Sequence, residues 1–203
     1  MSFKKLNPEL KAVLEEQGII EPTLLQKKII SKIKGGQDVY GIAADGKGKT
    51  TALVIGVLQR INYEAKGDNP RALIFVESKE ASIKLEEEFK KYLRFSEIRI
   101  ALVYEERIIN HQKDEIYAGA DIVIATPKRL SKLYFLNGIN LTELQMIVIE
   151  DAEFLNKGSF HTDIDRITES VEKSQRIVFA KSKDKRIDRL DDLFMQRAQV
   201  VKG

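Results

Sequence analysis

The chain contains no cysteine, which excludes disulfides and thiolate metal sites and fits a reducing compartment without requiring one. No apolar run reaches membrane-spanning length, and the start Met-Ser-Phe-Lys-Lys leads into no apolar segment of the kind a secretory leader carries. A soluble, cytoplasmic protein is therefore the expectation. An excess of one charge is missing too. The 34 basic and 31 acidic residues leave +3, so any nucleic-acid contact has to come from local patches rather than a global field. Internal repeats and low-complexity tracts are absent. The two histidines, His111 and His161, lie in polar, helix-forming surroundings without metal-ligand spacing, and both read as solvated. What is present is 203 residues with 43% apolar and 32% charged content, enough for one substantial core and short for two. A single domain over 1–203 is expected.

Short apolar runs recur at 39–43, 72–76, 99–104, 121–125, 145–149 and 176–180, separated by stretches with helical periodicity. That alternation predicts an α/β fold of βαβ units with a mostly parallel sheet. The runs are rich in Val and Ile and hardly alternate, as strands buried on both faces do, so helices are expected on both sides. Amphipathic helices are read at 82–93, with Ile83, Leu85, Phe89 and Leu93 as the apolar stripe, and at 164–171 around Ile167. The cluster Lys66-Gly67-Asp68-Asn69-Pro70 reads as a turn between helix and strand.

After the first run comes Ala43-Ala44-Asp45-Gly46-Lys47-Gly48-Lys49-Thr50, a phosphate-binding P-loop pattern with Ala for the first Gly. Such a turn aims backbone N–H groups and a helix N-terminus at phosphate oxygens. It adds a Lys for the β/γ-phosphates and a hydroxyl for Mg²⁺. A Gly-rich turn without a ligand is the plainer reading. The run 145–149 delivers Glu150-Asp151-Ala152-Glu153 to the same sheet edge, where ligands of open parallel sheets bind. Carboxylates there can hold Mg²⁺ and orient a water. Capping of the next helix is the alternative.

With these two motifs ordered on six strands, the chain resembles the N-terminal RecA-like lobe of the DEAD-box RNA helicases over nearly its whole length. Gly18-Ile19-Ile20-Glu21-Pro22-Thr23-Leu24-Leu25-Gln26 is similar to the family's Q motif, within a helical segment at about 1–34. The resemblance implies a three-layer P-loop NTPase domain that takes ATP and Mg²⁺. Thr23, Gln26 and residues Ala43, Ala44, Asp45, Gly46, Lys47, Gly48, Lys49 and Thr50 would hold the nucleotide. Gln26 would read adenine with one donor and one acceptor. Lys49, Glu150 and Asp151 would be catalytic, with Thr50 and Glu150 at the metal. Phe3 is either the aromatic that stacks on adenine or a core anchor.

Ala125-Thr126-Pro127-Lys128-Arg129-Leu130 is similar to the family's T-P-G-R-L, and Glu77-Ser78-Lys79-Glu80-Ala81 stands in the place of P-T-R-E-L. The resemblance therefore implies RNA contacts at Ser78, Lys79, Thr126, Pro127 and Arg129. A capped helix with a solvated basic start is the alternative for the former. Ala180-Lys181-Ser182 replaces Ser-Ala-Thr, which couples hydrolysis to strand separation, leaving Ala180 and Ser182 as coupling candidates. Glu105-Glu106 replaces the Gly-Gly pair that lets RNA approach, and each acid of Asp-Glu-Ala-Asp has exchanged length. Asp45 in the P-loop would repel a nucleotide unless Lys47 or Mg²⁺ offsets it. No second helicase lobe is expected within 1–203. The implied function is the ATP-binding lobe of an RNA helicase with weak hydrolysis in isolation. The alternatives are a degenerate module that binds nucleotide, RNA or a partner without hydrolysis, and a lobe completed in trans by another chain.

Overall fold

A computed structural model describes residue 3 and residues 6–156, 160–171 and 173–203. Seven strands, β1 (Val39–Ile42), β2 (Ala72–Phe75), β3 (Ile100–Val103), β4 (Ile122–Ala125), β5 (Met146–Ile149), β6 (Gln175–Ala180) and β7 (Gln199–Lys202), pair in parallel in the order β3-β4-β2-β5-β6-β1-β7. All six expected runs are strands. The sheet is wholly rather than mostly parallel, and β7 is an added edge strand beside β1. Among the described residues eight α-helices connect or flank them: α1 (Pro8–Glu16), α2 (Leu24–Lys34), α3 (Lys49–Arg60), α4 (Lys79–Lys90), α5 (Ile109–Tyr117), α6 (Pro127–Phe135), α7 (Phe160–Glu169) and α8 (Lys185–Leu193).

Successive strand side chains point to opposite faces, so a strand buried on both sides feeds two cores. Val39, Ile74, Val148 and Phe179 pack with α1, α2, α3 and α4 on one face. Tyr40, Leu73, Phe75 and Val178 pack with α6, α7 and α8 on the other. Phe3 is buried within the first core, next to Leu6 and Leu10, which favours its reading as an anchor. In α4 the stripe is Ser82, Leu85 and Phe89, the helix ends at Lys90, and Ile83 is 36% exposed; the expected stripe was one residue out of phase at its start.

Close packing of α2 positions the site. A Cβ on Gly41 would meet Ile29 at 2.8 Å, and one on Gly56 would meet Ile33 at 2.4 Å. Two glycines, one on β1 and one on α3, therefore let α2 settle between them, which carries its first turn to the phosphate loop.

Candidate functional site

The loop from Ala43 to Gly48 leaves β1 at its carboxyl end, anchored by Ala43 N–H donating to the Ala180 carbonyl of β6 at 3.0 Å. Gly48 takes φ +83° as the residue before α3, a backbone state that costs glycine nothing. It turns the unsatisfied N–H groups of the α3 start toward the loop, a ready anion site. Lys49 is buried, and its ammonium donates to the Ala43 carbonyl at 2.8 Å and to Asp45 Oδ1 at 3.3 Å. Asp151 Oδ1 lies 3.9 Å from the same ammonium.

Thr50 Oγ1 and Glu150 Oε1, one hundred residues apart, sit 3.4 Å from each other. Burial pushes the Glu150 carboxyl up to about 7, and the Asp151 charge adds to that, while the Thr50 hydrogen bond and the Lys84 and Lys49 charges pull against it. A carboxyl this poorly solvated, beside a hydroxyl at a helix N-terminus, fits a hard cation that takes oxygen ligands. Asp151 follows at φ +44°, an uncommon state for a residue with a side chain, which turns its carboxyl away from the strand and back over the loop. Desolvation raises its pKa, against the pull of Lys49.

Asp45 is offset, although not by Lys47. Lys181, which stands where the family has Ala, donates to Asp45 Oδ2 at 2.7 Å, and Lys49 takes the other oxygen. The Lys181 hydrogen bond is the main reason that the Asp45 carboxyl lies below the usual carboxylate range. Lys181 is also held by its backbone N–H, which donates to Glu153 Oε1 at 2.5 Å. Thus the longer acid at the end of the Glu-Asp-Ala-Glu motif reaches the main chain after β6 directly. Ala180 is buried at the end of that strand and Ser182 is exposed beyond it.

Gln26 is 5% exposed and its amide is occupied at both ends. Its carbonyl oxygen accepts from Thr23 N–H at 2.9 Å, while Thr23 Oγ1 accepts from Gln26 N–H at 3.2 Å, a reciprocal capping box at the start of α2. Its Nε2 lies 3.5 Å from the Gly48 carbonyl. The Q-motif residues and the P-loop are thus brought together, with Gln26 turned toward the loop backbone.

The residues of the expected RNA track start two helices at this edge. Ser78 caps α4, accepting from Ala81 N–H at 3.3 Å, and Lys79 lies over the Tyr104 ring at 5.7 Å. Pro127 opens α6. Arg129 is not presented outward. It is 9% exposed, with Nε donating to the Tyr104 carbonyl at 3.0 Å and Nη2 to the Glu105 and Arg107 carbonyls. Thr126 donates its hydroxyl to Glu105 Oε2 at 2.7 Å. Motif spacing alone did not single out Glu105 and Lys181 as members of the site; the signal available was that each departs from the family pattern opposite another motif residue.

Of the histidines, His111 is exposed as expected. His161 is not freely solvated: its Nδ1 is buried without a partner and burial lowers its pKa. No group of three or more metal-ligating side chains occurs among the described residues, and none of their helices is long and apolar enough to cross a membrane.

A wholly parallel sheet with a phosphate-loop pattern after β1 and paired acids after β5, at one edge, is the arrangement of the RecA-like P-loop fold. The DEAD/DEAH box helicase profile matches residues 23–182, and the chain belongs to that family. It is 31% identical over its whole length to the DEAD-box ATP-dependent RNA helicase CshA of Streptococcus pneumoniae, covering 39% of that protein. It is 28% identical over 88% of its length to human probable ATP-dependent RNA helicase DDX46, covering 17% of it. The chain thus spans well under half the length of these relatives. Its fold superposes with TM-score 0.90 on a DEAD box protein from the hyperthermophile Methanococcus jannaschii, at 21% identity, over all of this chain and 56% of that one.

Proposed function

We propose that this chain is the ATP-binding lobe of a DEAD-box type ATP-dependent RNA helicase, taking Mg-ATP at the carboxyl edge of the sheet and hydrolysing it slowly. The observation that carries the reading is the meeting of Thr50 with the half-buried Glu150, from segments a hundred residues apart, while the next residue, Asp151, faces Lys49. Lys49 would exchange its bonds to Ala43 and Asp45 for the β/γ-phosphates. Thr50 and Glu150 would hold Mg²⁺, which would supply positive charge to offset that of the phosphates. Asp151 would orient the attacking water. It is one methylene shorter than the family's Glu, and a displacement of about 1 Å can cost ~10²-fold in rate. Gln26 would select adenine after its amide turns from Thr23 and Gly48.

RNA is the proposed second ligand, held at the α4 and α6 starts by Ser78, Lys79, Thr126 and Pro127, while Arg129 shapes the neighbouring loop. A second helicase lobe, in a longer chain or in trans, would supply the cations that such transfers use, worth ~10³–10⁵ in rate in related enzymes. A cytoplasmic location remains part of the proposal. The competing reading, a lobe that binds without hydrolysing, is favoured by Asp45 occupying Lys49 and by Glu105 occupying Thr126.

Phosphate release from Mg-ATP, with and without single-stranded RNA and with Lys49→Ala as the blank, tests the proposal. Turnover above the blank that RNA stimulates, and that Asp151→Glu raises, supports a weakened ATPase. Release equal to the blank in both the native chain and Asp151→Glu moves the assignment to a binding lobe.

A further inference from the structure

The opposite edge of the sheet, where the strands begin, carries a cleft of about 390 Å³, within the size range of small-molecule sites. Arg60, Lys173 and Arg197 line it, with Asp38 as the only acid among the lining residues. Arg60 ends α3, whereas Lys173 precedes β6 and Arg197 precedes β7, so three separate segments converge. A preference of cations for helix ends accounts for the first of these alone. None of the three makes an ion pair among the described residues, and Arg60 Nε is buried with no hydrogen-bond partner.

Two buried uncharged groups line the same cleft and are likewise unsatisfied. Ser174 is 7% exposed and Gln175 is 4% exposed, and Ser174 Oγ and Gln175 Oε1 have no partner. Gln175 Nε2 donates to the Gln37 carbonyl at 2.6 Å, which fixes the amide so that its oxygen is the end left open. Buried polar groups are normally paired, so unpaired ones converging on one cleft mark where a polar ligand would find partners. Asp38 accepts Arg176 N–H at 2.7 Å, and burial raises its pKa, so it opposes an anion less than a free carboxylate would.

We propose that this cleft is a second binding site, separate from the P-loop, for a phosphorylated, hydroxyl-bearing molecule of the ribose-phosphate type. Phosphate oxygens suit Arg60, Lys173 and Arg197. A ligand hydroxyl supplies the donor that Gln175 Oε1 lacks, and Ser174 Oγ can donate or accept. The two sites lie at opposite ends of β1, a four-residue strand, roughly 13 Å apart along it. Both a free sugar phosphate and a nucleotide unit of an RNA strand carry this chemistry.

The test is calorimetric titration of ribose 5-phosphate, and in parallel of a short single-stranded oligouridylate, into Lys49→Ala protein so that the P-loop does not contribute. Lys173→Gln with Arg197→Gln removes two exposed cations without touching the core, and Lys27→Gln with Lys28→Gln is the charge-matched control. The site predicts about tenfold weaker ribose 5-phosphate binding in the first pair, a loss of severalfold in Ser174→Ala, and no change in the control pair. Loss confined to the oligouridylate arm, again specific to the first pair, supports the same chemistry with an RNA strand as its source. Equal losses in both pairs, or no measurable binding of either probe, overturn the proposal.

Discussion

Asp45 puts a carboxylate where an incoming nucleotide puts phosphate, and the two lysines that hold it decide how much this opposes binding. In the free protein Lys181 neutralises Asp45 and Lys49 is shared between Asp45 and the Ala43 carbonyl. Removing Lys181 strips a cation from the loop and leaves the acid facing phosphate; removing Asp45 releases both lysines. Asp45→Ala is therefore expected to tighten ATP binding and Lys181→Ala to weaken it, each by roughly two- to fivefold for a solvated pair, with the double variant near the native value. Fluorescence titration with a labelled ATP analogue measures all three. Singles that shift in the same direction would mean that the pair does not act on the phosphate site. Glu105 makes a parallel case at the RNA track, because its carboxylate accepts the Thr126 hydroxyl while the adjacent Glu106, exposed as Glu105 is, makes no such bond. Glu105→Gly should raise affinity for single-stranded RNA by roughly tenfold, or about 1.4 kcal/mol, and Glu106→Gly by much less. Equal responses in fluorescence anisotropy would indicate a diffuse charge effect in place of an occupied hydroxyl.

Three neighbouring strands are tied at their amino ends by one side chain. Asp121 precedes β4, Arg71 precedes β2 and Arg99 precedes β3, and the register sets them side by side. The fully buried Asp121 carboxylate accepts from Arg71 Nη2 at 2.8 Å, from Arg99 Nε at 3.0 Å, and from the Lys66 and Arg99 N–H groups. Burial pushes its pKa up, but the bonds from Arg99, Lys66 and Arg71 outweigh that and hold it below its ordinary 3.8. A depressed carboxylate contributes stability above the unfolded value and loses it as pH falls through the folded one. Asp121→Asn should therefore cost about 3–5 kcal/mol in urea unfolding at pH 7. That gap should narrow as pH falls from about 3.8, where Asp121 of the unfolded chain takes up its proton, through the lower folded value. A gap that stays constant with pH would remove the charge from the account. Six of the seven strands were legible because helices cover both their faces, so their residues are apolar in unbroken runs. Gln199-Val200-Val201-Lys202 escapes that signal, since an edge strand buries only Val201 and is a strand because β1 offers it an unpaired side. The site divides similarly. Local spacing marks Lys49, Thr50 and Glu150, but the choice of Lys181 over Lys47 as the partner of Asp45 lies 136 residues away and depends on which strand neighbours β1.

At the scale of the whole molecule, the candidate nucleotide site draws on three loops that leave β1, β5 and β6, and only the folded sheet holds those loops together. A ligand bound there is absent from the unfolded chain, so its binding energy adds to the stability of the fold. At one hundred times its dissociation constant that amounts to about 2.7 kcal/mol. For a chain of this length the melting temperature should rise by roughly 5–10 °C. The effect needs no turnover, which makes it informative even if the Glu-Asp-Ala-Glu site hydrolyses nothing. Three comparisons then separate the parts. Lys49→Ala should abolish the shift at the same ATP concentration, because its buried ammonium reaches into the loop and already donates to the Ala43 carbonyl. Chelating Mg²⁺ should shrink it, because Glu150 and Thr50 would lose the ion that links them to phosphate. GTP should stabilise less than ATP if the Gln26 amide, once released from Thr23, meets the base. An equal shift in native and Lys49→Ala protein would place the nucleotide elsewhere, and the strand-start cleft lined by Arg60 and Arg197 would become the first place to look.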